Sequence, residues 1–177
     1  MTFPRPDDDE ERIAVLRELG ILDTGPDENL QRIVHLCRLI FGVEISTVSL
    51  IDEARQWFKA RDGLDACETS RDVAFCNYTI LGDDIFEVPD ALEHPDFKEN
   101  PLVTGDPRIR FYAGAPIRFD GKRFGALCLI DSSPREPLDQ RERSILIDLA
   151  AIVEREIRIQ RMFRESMALL TEVIKKK

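Results

Sequence analysis

Between Arg110 and Asp131 the chain reads RFYAGAPIRFDGKRFGALCLID. Its first half is aromatic or β-branched at alternate places, and Phe124 to Ile130 is almost wholly apolar, as in a strand buried on both faces. Asp120-Gly121 between the two runs predicts a tight hairpin, because Gly121 accepts positive φ and Asp120 tolerates it. Gly114 and Gly125 inside the runs mark bulges, or places where another backbone or a ligand comes close. Upstream, VEISTVSLID and RQWFKARDG form a second strand pair, with Trp57 and Phe58 on opposite sides, and IFEVP adds a further strand.

Helical spacing governs the flanks. Ile13, Leu16 and Leu19 share one face of a helix opened by the acidic run Asp7 to Glu11, which suits the positive end of the helix dipole. Leu30, Ile33, Val34, Cys37 and Phe41 form the stripe of a second helix, from about Asp27 to Phe41. A short helix through VAFCNYTIL is expected with Asp72 as its cap. Residues 90–107, broken by Pro95, Pro101, Gly105 and Pro107, predict a long irregular connection of the kind that forms a lid or pocket wall.

The last helix starts after Asp139, with Glu142 placed for a capping box, and runs for more than 30 residues. Ile145, Leu149, Ile152, Glu156, Ile159, Phe163, Ser166, Leu170 and Val173 alternate spacings of four and three. That is a heptad seam. Beyond Glu156 a second copy of the chain is the natural cover for it. The dimer seam is therefore assigned to Leu149, Ile152, Ile159, Phe163, Leu170 and Val173, and the organisation to a lead-in (1–9), a domain (10–155) and a helical extension (156–177).

A net charge of −9 argues against nucleic acid and anionic membrane surfaces as partners. Cys37, Cys67, Cys76 and Cys128 form no C-x-x-C pair, and with His35 and His94 they suggest no metal site. With no leader-like start and no run of about 18 apolar residues, a cytoplasmic protein with reduced thiols is expected.

Four segments in order, SRDVAFCNYTI (Ser70 to Ile80), VPDALEHPDFKENPLV (Val88 to Val103), IRFYAGAPI (Ile109 to Ile117) and GALCLIDSSPR (Gly125 to Arg135), make the chain resemble a GAF domain of the bacterial signalling type. The layout is α+β and GAF/PAS-like: a central antiparallel sheet of five or six strands, helices on one face, and a long C-terminal signalling helix. The resemblance implies a non-catalytic sensor that binds a small ligand or partner and passes its state along the terminal helices, as a homodimer. An effector, a kinase or a diguanylate cyclase, would act in cis or in trans. No cofactor is singled out. Cys76 is followed by Asn77, where bilin-binding domains commonly carry Cys-His; the cyclic-nucleotide signature is absent, as is the Gly-Val-Cys-Gly segment of the free methionine sulfoxide reductases.

The residues over the sheet then supply the candidate pocket: Arg71, Phe75, Cys76, Tyr78, Thr79, Asp90, Asn100, Arg110, Phe111 and Tyr112. Aromatic walls with a few fixed polar groups suit a small molecule, and Arg71 or Arg110 could hold a carboxylate or phosphate in a bidentate fork. The competing reading is that Arg71, Asp90, Asn100 and Arg110 tie down the long connection, with Asp90 pairing an arginine. No catalytic set is evident. The alternative is a cysteine-dependent enzyme resembling the methionine sulfoxide reductases, with Cys67 or Cys76 near Arg71 as its thiol.

Overall fold

The computed structural model describes residues 3–175, without the side chains of residues 172 and 173. Two helices, α1 (Asp9–Leu19) and α2 (Glu28–Phe41), precede the antiparallel strands β1 (Ile45–Ile51) and β2 (Arg55–Asp62). A short strand β3 (Glu68–Ser70), a 3-10 turn (Arg71–Val73), α3 (Cys76–Thr79), β4 (Phe86–Val88) and α4 (Pro101–Thr104) follow. The hairpin of β5 (Phe111–Phe119) and β6 (Lys122–Asp131) then leads to α5 (Gln140–Lys175). All six strands form one sheet in the order β3-β2-β1-β6-β5-β4, with every neighbouring pair antiparallel.

The local signals account for the boundaries. Asp27 accepts a bond from the Leu30 amide at 2.8 Å and starts α2, and Gly42, at φ 61°, ends it. Asp139 and Glu142 make the reciprocal capping box, with N–H to carboxylate distances of 2.9 and 2.8 Å. Gly121 has φ 77° and Asp120 has φ 49°, as the hairpin turn demands. The short helix differs from expectation. Ala74 is extended (ψ 118°), which separates the Arg71–Val73 turn from α3, so Asp72 does not cap α3.

Period-2 alternation divides the sheet into two faces. On one, the three longer helices cover Leu50, Phe111 and Leu127, with Leu16, Leu30, Val34 and Cys37 facing down. From α5 the stripe Leu146, Ala150, Val153 and Ile157 enters this core. It lies one position away from the predicted seam, whose Ile145 and Leu149 are partly buried at the core margin. The opposite face carries Ile51, Tyr112, Ala126 and Cys128 beneath α3, α4 and the long connection. Seam positions Ile152, Ile159, Phe163 and Leu170 are 48–66% exposed, and Val173 lies outside the described side chains.

Beyond its short pairing with β4, the outer edge of β5 is guarded in two ways. Pro116 has no N–H to offer a foreign strand, and the Glu154 carboxylate accepts the Arg118 amide at 2.7 Å. Burial there pushes the Glu154 carboxyl above its ordinary range, against the pull of Arg118.

Candidate functional site

On the α3 face of the sheet the aromatic side chains interlock. Phe75 stacks on Phe97 with centroids 4.0 Å apart and leans on Tyr112 at 5.2 Å, and Tyr78 packs on Phe97 and Phe86 at 4.7 and 5.5 Å. Rings that could wall a pocket thus fill most of it. What remains is a cavity of about 150 Å³ at the mouth, between Tyr78, Phe97, Asn100 and Phe3. That is well below the roughly 300 Å³ at which small-molecule sites begin, so a ligand larger than a few waters would have to move the cover.

Beneath the rings lies a buried polar chain. The hydroxyls of Thr79 and Tyr112 are 2.7 Å apart, and Tyr112 Oη is 3.6 Å from Cys128 Sγ. Cys128 Sγ is 3.2 Å from Cys76 Sγ and 3.7 Å from Ser49 Oγ, which in turn bonds Thr47 at 2.8 Å. Gly114 makes room for this arrangement: a Cβ there would stand 2.2 Å from the Tyr112 hydroxyl and 2.6 Å from Thr79 Oγ1. At Gly125 it is a backbone that comes close, with Ser49 O 2.2 Å from where a Cβ would be. Burial pushes the Tyr112 hydroxyl well above its ordinary range, so it stays neutral.

Arg71 lies fully buried behind α3, and its fork is already filled. Nη2 and Nη1 meet the Asp9 carboxylate at 2.6 and 2.9 Å, and Nε donates to Asn77 Oδ1 at 2.9 Å. Arg12, also buried, donates to Asp9 from Nε at 2.8 Å and reaches the Ile51 carbonyl. Burial opposes the charge on Asp9, but the two guanidinium groups outweigh it and hold the carboxyl below its ordinary range. Arg12 is pushed down by burial and by Arg71, and Asp9 offsets part of this. Residues 3–8 run alongside: Phe3 lies against the Arg71 guanidinium at 5.4 Å, and Asn77 Nδ2 donates to the Pro4 carbonyl at 2.7 Å.

Of the ten candidate residues, Phe75, Cys76, Tyr78, Thr79 and Tyr112 come together over the sheet, and Asn100 stands at the cavity rim. Asn100 caps α4 through the Leu102 amide at 2.9 Å and donates to the Val73 carbonyl at 3.0 Å. Arg110 donates to the carbonyls of Val103, Arg108 and Ile109 at 2.9–3.2 Å, pinning the long connection. Asp90 accepts from the Leu92 amide at 3.0 Å and so stabilises a turn, where an arginine partner was expected. Phe111 is on the wrong face: strand alternation turns it into the helix-side core, away from Tyr112. Asp9, Arg12, Asn77 and Phe97 complete the arrangement and were not among the candidates. Arg12 falls on the helical stripe of Leu16 and Leu19, which was the one sequence signal that it is buried.

Cys67 is exposed beyond the β2 edge, where it lines a separate cavity with Trp57, Phe58 and Lys59, while Cys37 is buried in the helix-side core and its thiol is pushed up to about 12 by that burial. Among the described residues no cluster of three or more His, Cys, Asp or Glu side chains could hold a metal, and no helix is long and apolar enough to cross a membrane.

A six-stranded antiparallel sheet with long helices on one face and short covering segments on the other defines the class. Residues 25–157 match the GAF domain family, and the chain belongs to it. Over 153 residues it is 44% identical to a cyclic di-GMP phosphodiesterase of Pseudomonas aeruginosa; the match takes in 86% of this chain but 26% of that protein, so the chain spans about a quarter of its relative's length. The GAF domain of a phosphoenolpyruvate-protein phosphotransferase from Coxiella burnetii superposes with a TM-score of 0.65 at 16% identity, covering 88% of this chain and 98% of that one. Free methionine-R-sulfoxide reductase from Neisseria meningitidis, solved with its substrate, gives 0.63 at 20% identity over 92% and 97% of the two chains. At such identities the two structures share the fold alone.

Proposed function

We propose that this chain is the non-catalytic sensory GAF module of a cytoplasmic signalling protein. It takes a small ligand or partner under the α3 and 90–107 cover and relays the bound state through α1 and α5 of a homodimer. The observation that carries this reading is a pair of polar ties at the two ends of α1. Asn77 on α3 holds Arg71, Arg71 holds Asp9 at the start of α1, and the Leu19 and Gly20 carbonyls at its other end accept from Arg164 of α5. A ligand acts through such a path only if it favours one arrangement over another, and the filled pocket supplies the difference, since binding must displace rings or the Phe3 segment. The phosphodiesterase relative extends the effector classes from a kinase or a cyclase to an enzyme that hydrolyses a cyclic dinucleotide, in cis or in trans.

Native mass spectrometry of the protein purified from its own host tests the reading. A small molecule should be retained, and Tyr78→Ala and Phe97→Ala should weaken its retention. If it is retained equally after both substitutions, the ligand lies elsewhere and the pocket assignment fails.

The second reading, a cysteine-dependent reductase, is favoured by the fold shared with the reductases and by the two thiols 3.2 Å apart. Turnover of free methionine sulfoxide with a dithiol as reductant would establish it and overturn the non-catalytic one.

A further inference from the structure

Cys76 and Cys128 are 52 residues apart in sequence, both almost fully buried, and their sulfurs are 3.2 Å apart. A disulfide bond is about 2.05 Å long, so the sulfurs need close by only about 1.2 Å. The two sides differ in how easily they give. Cys128 sits in β6, hydrogen-bonded between β1 and β5 at the centre of the sheet, whereas Cys76 opens a four-residue helix. Movement of α3 towards the sheet therefore closes the gap.

The sulfurs also differ electrostatically. Burial pushes the Cys76 thiol well above its ordinary range. At Cys128 the same burial is outweighed by donors, first the Cys76 thiol and then the hydroxyls of Tyr112 and Ser49, and the thiol is drawn below its ordinary range. Cys128 thus has the larger set of hydrogen-bond partners, and Cys76 is the sulfur that stays protonated beside it.

We propose that Cys76 and Cys128 form a redox modification site, a dithiol that a small hydroperoxide converts to an intramolecular disulfide inside the folded domain. Cys128 attacks the peroxide oxygen; the O–O bond breaks, the Cys128 proton passes to the departing oxygen, which leaves as alcohol or water, and Cys128 becomes a sulfenic acid. The Cys76 sulfur then displaces hydroxide from it, and the Cys76 proton joins that hydroxide as water. In sum two thiols and one hydroperoxide give one disulfide, one alcohol or water, and one water: the dithiol loses two electrons and the peroxide gains them. The bond would pull Cys76 towards β6, and with it Asn77, which holds Arg71 and the Pro4 carbonyl. This site is independent of whether the cavity above takes a ligand.

The 177-residue chain carrying Cys67→Ser, which removes the exposed thiol, is titrated with hydrogen peroxide while circular dichroism confirms that it stays folded. Alkylation in denaturant, proteolysis without reductant and mass spectrometry follow. The expected result is a single linked peptide pair joining residues 76 and 128, lighter by two hydrogens and cleaved by a dithiol. Cys76→Ser should give no link and should let Cys128 trap a sulfenic-acid probe. Cys128→Ser should give neither the link nor a probe adduct at residue 76. Free thiols at both positions after peroxide treatment, or sulfinic acid at Cys128 without a link, overturn the proposal. So do links that involve Cys37 as readily as Cys76, since they would mean that oxidation follows unfolding.

Discussion

Asp9 is the residue whose loss should be felt most. Its carboxylate is the counter-charge for two guanidinium groups with almost no solvent exposure, at 2.6 and 2.9 Å from Arg71 and 2.7 and 2.8 Å from Arg12. Asp9→Asn keeps the shape and removes the charge, leaving both cations buried without compensation. Removing one partner of a buried pair costs about 3–5 kcal/mol, because the charge left behind cannot regain water. In a domain of this size each kcal/mol corresponds to about 2–4 °C, so the melting temperature should fall by about 6–20 °C. Calorimetry checks this, and Asp9→Asn combined with Arg71→Met checks the cause. The double variant should lose less than the two single losses added together, since the second substitution removes a cation that the first left unpaired.

The pH dependence carries its own sign. Asp9 titrates lower in the folded chain than in the unfolded one, so its contribution is fully present above the unfolded value of about 3.9 and is lost as pH falls through the folded value. The gap in melting temperature between wild type and Asp9→Asn should be constant near neutrality and narrow only below about pH 4. A change of less than about 2 °C at pH 7, or strict additivity in the double variant, would refute the view of Asp9 as a buried clasp.

Two other outcomes follow from the geometry. Gly114→Ala puts a methyl 2.2 Å from the Tyr112 hydroxyl, so it should cost about 1–3 kcal/mol and change the near-ultraviolet circular dichroism as Tyr112 is displaced; an unchanged melt and spectrum would contradict the placement of that ring. On the proposed dimer, Phe163→Asp with Leu170→Asp, at positions 66% and 57% exposed in the monomer, should shift light-scattering mass from dimer to monomer with the melting curve of the domain retained; a fully dimeric variant would place the interface elsewhere.

Features set by neighbours in the chain were legible. The hairpin at Asp120-Gly121, the Asp27 cap and the Asp139–Glu142 box each involve partners within a few residues, and each was read from spacing. The clasp was not, because its partners are 62 residues apart and Asp9 belongs to an acidic run that already had a local reason to exist at a helix start. In the structure the run also meets four separate cations: Asp8 and Glu11 pair with Lys122, and Asp9 with Arg5, Arg12 and Arg71. Helix α5 shows a different limit. Two adjacent stripes are apolar, one through Ile145, Leu149 and Ile152 and one through Leu146, Ala150 and Val153, and periodicity alone does not say which faces the sheet. Small Ala150 lets the second stripe approach β5, and the first is left at the margin. Phe111 was a misreading of a legible rule, since neighbours in a strand cannot both face the same cover.

These placements make α1 the part of the fold on which the proposed signal turns. Between α3 and α5 the two faces of the sheet are packed with side chains, apolar apart from the chain through Thr79, Tyr112, Cys128 and Ser49, and such a core resists small displacements. The route around the sheet is polar and ends on groups with few alternatives: Arg71 has Asp9, and the last carbonyls of α1 have Arg164. Between those ends lie eleven helical residues, a stiff rod of about 16 Å. A shift of Asn77 that loosens Arg71 from Asp9 removes one of the ties at the start of that rod, where Lys122 also holds Asp8 and Glu11, and Arg164 holds its other end to the part of α5 that carries exposed Met162, Phe163 and Met167. In the proposed relay, pocket filling and helix arrangement are linked by the charge pairing at Asp9, and the two buried guanidinium groups there favour the paired state.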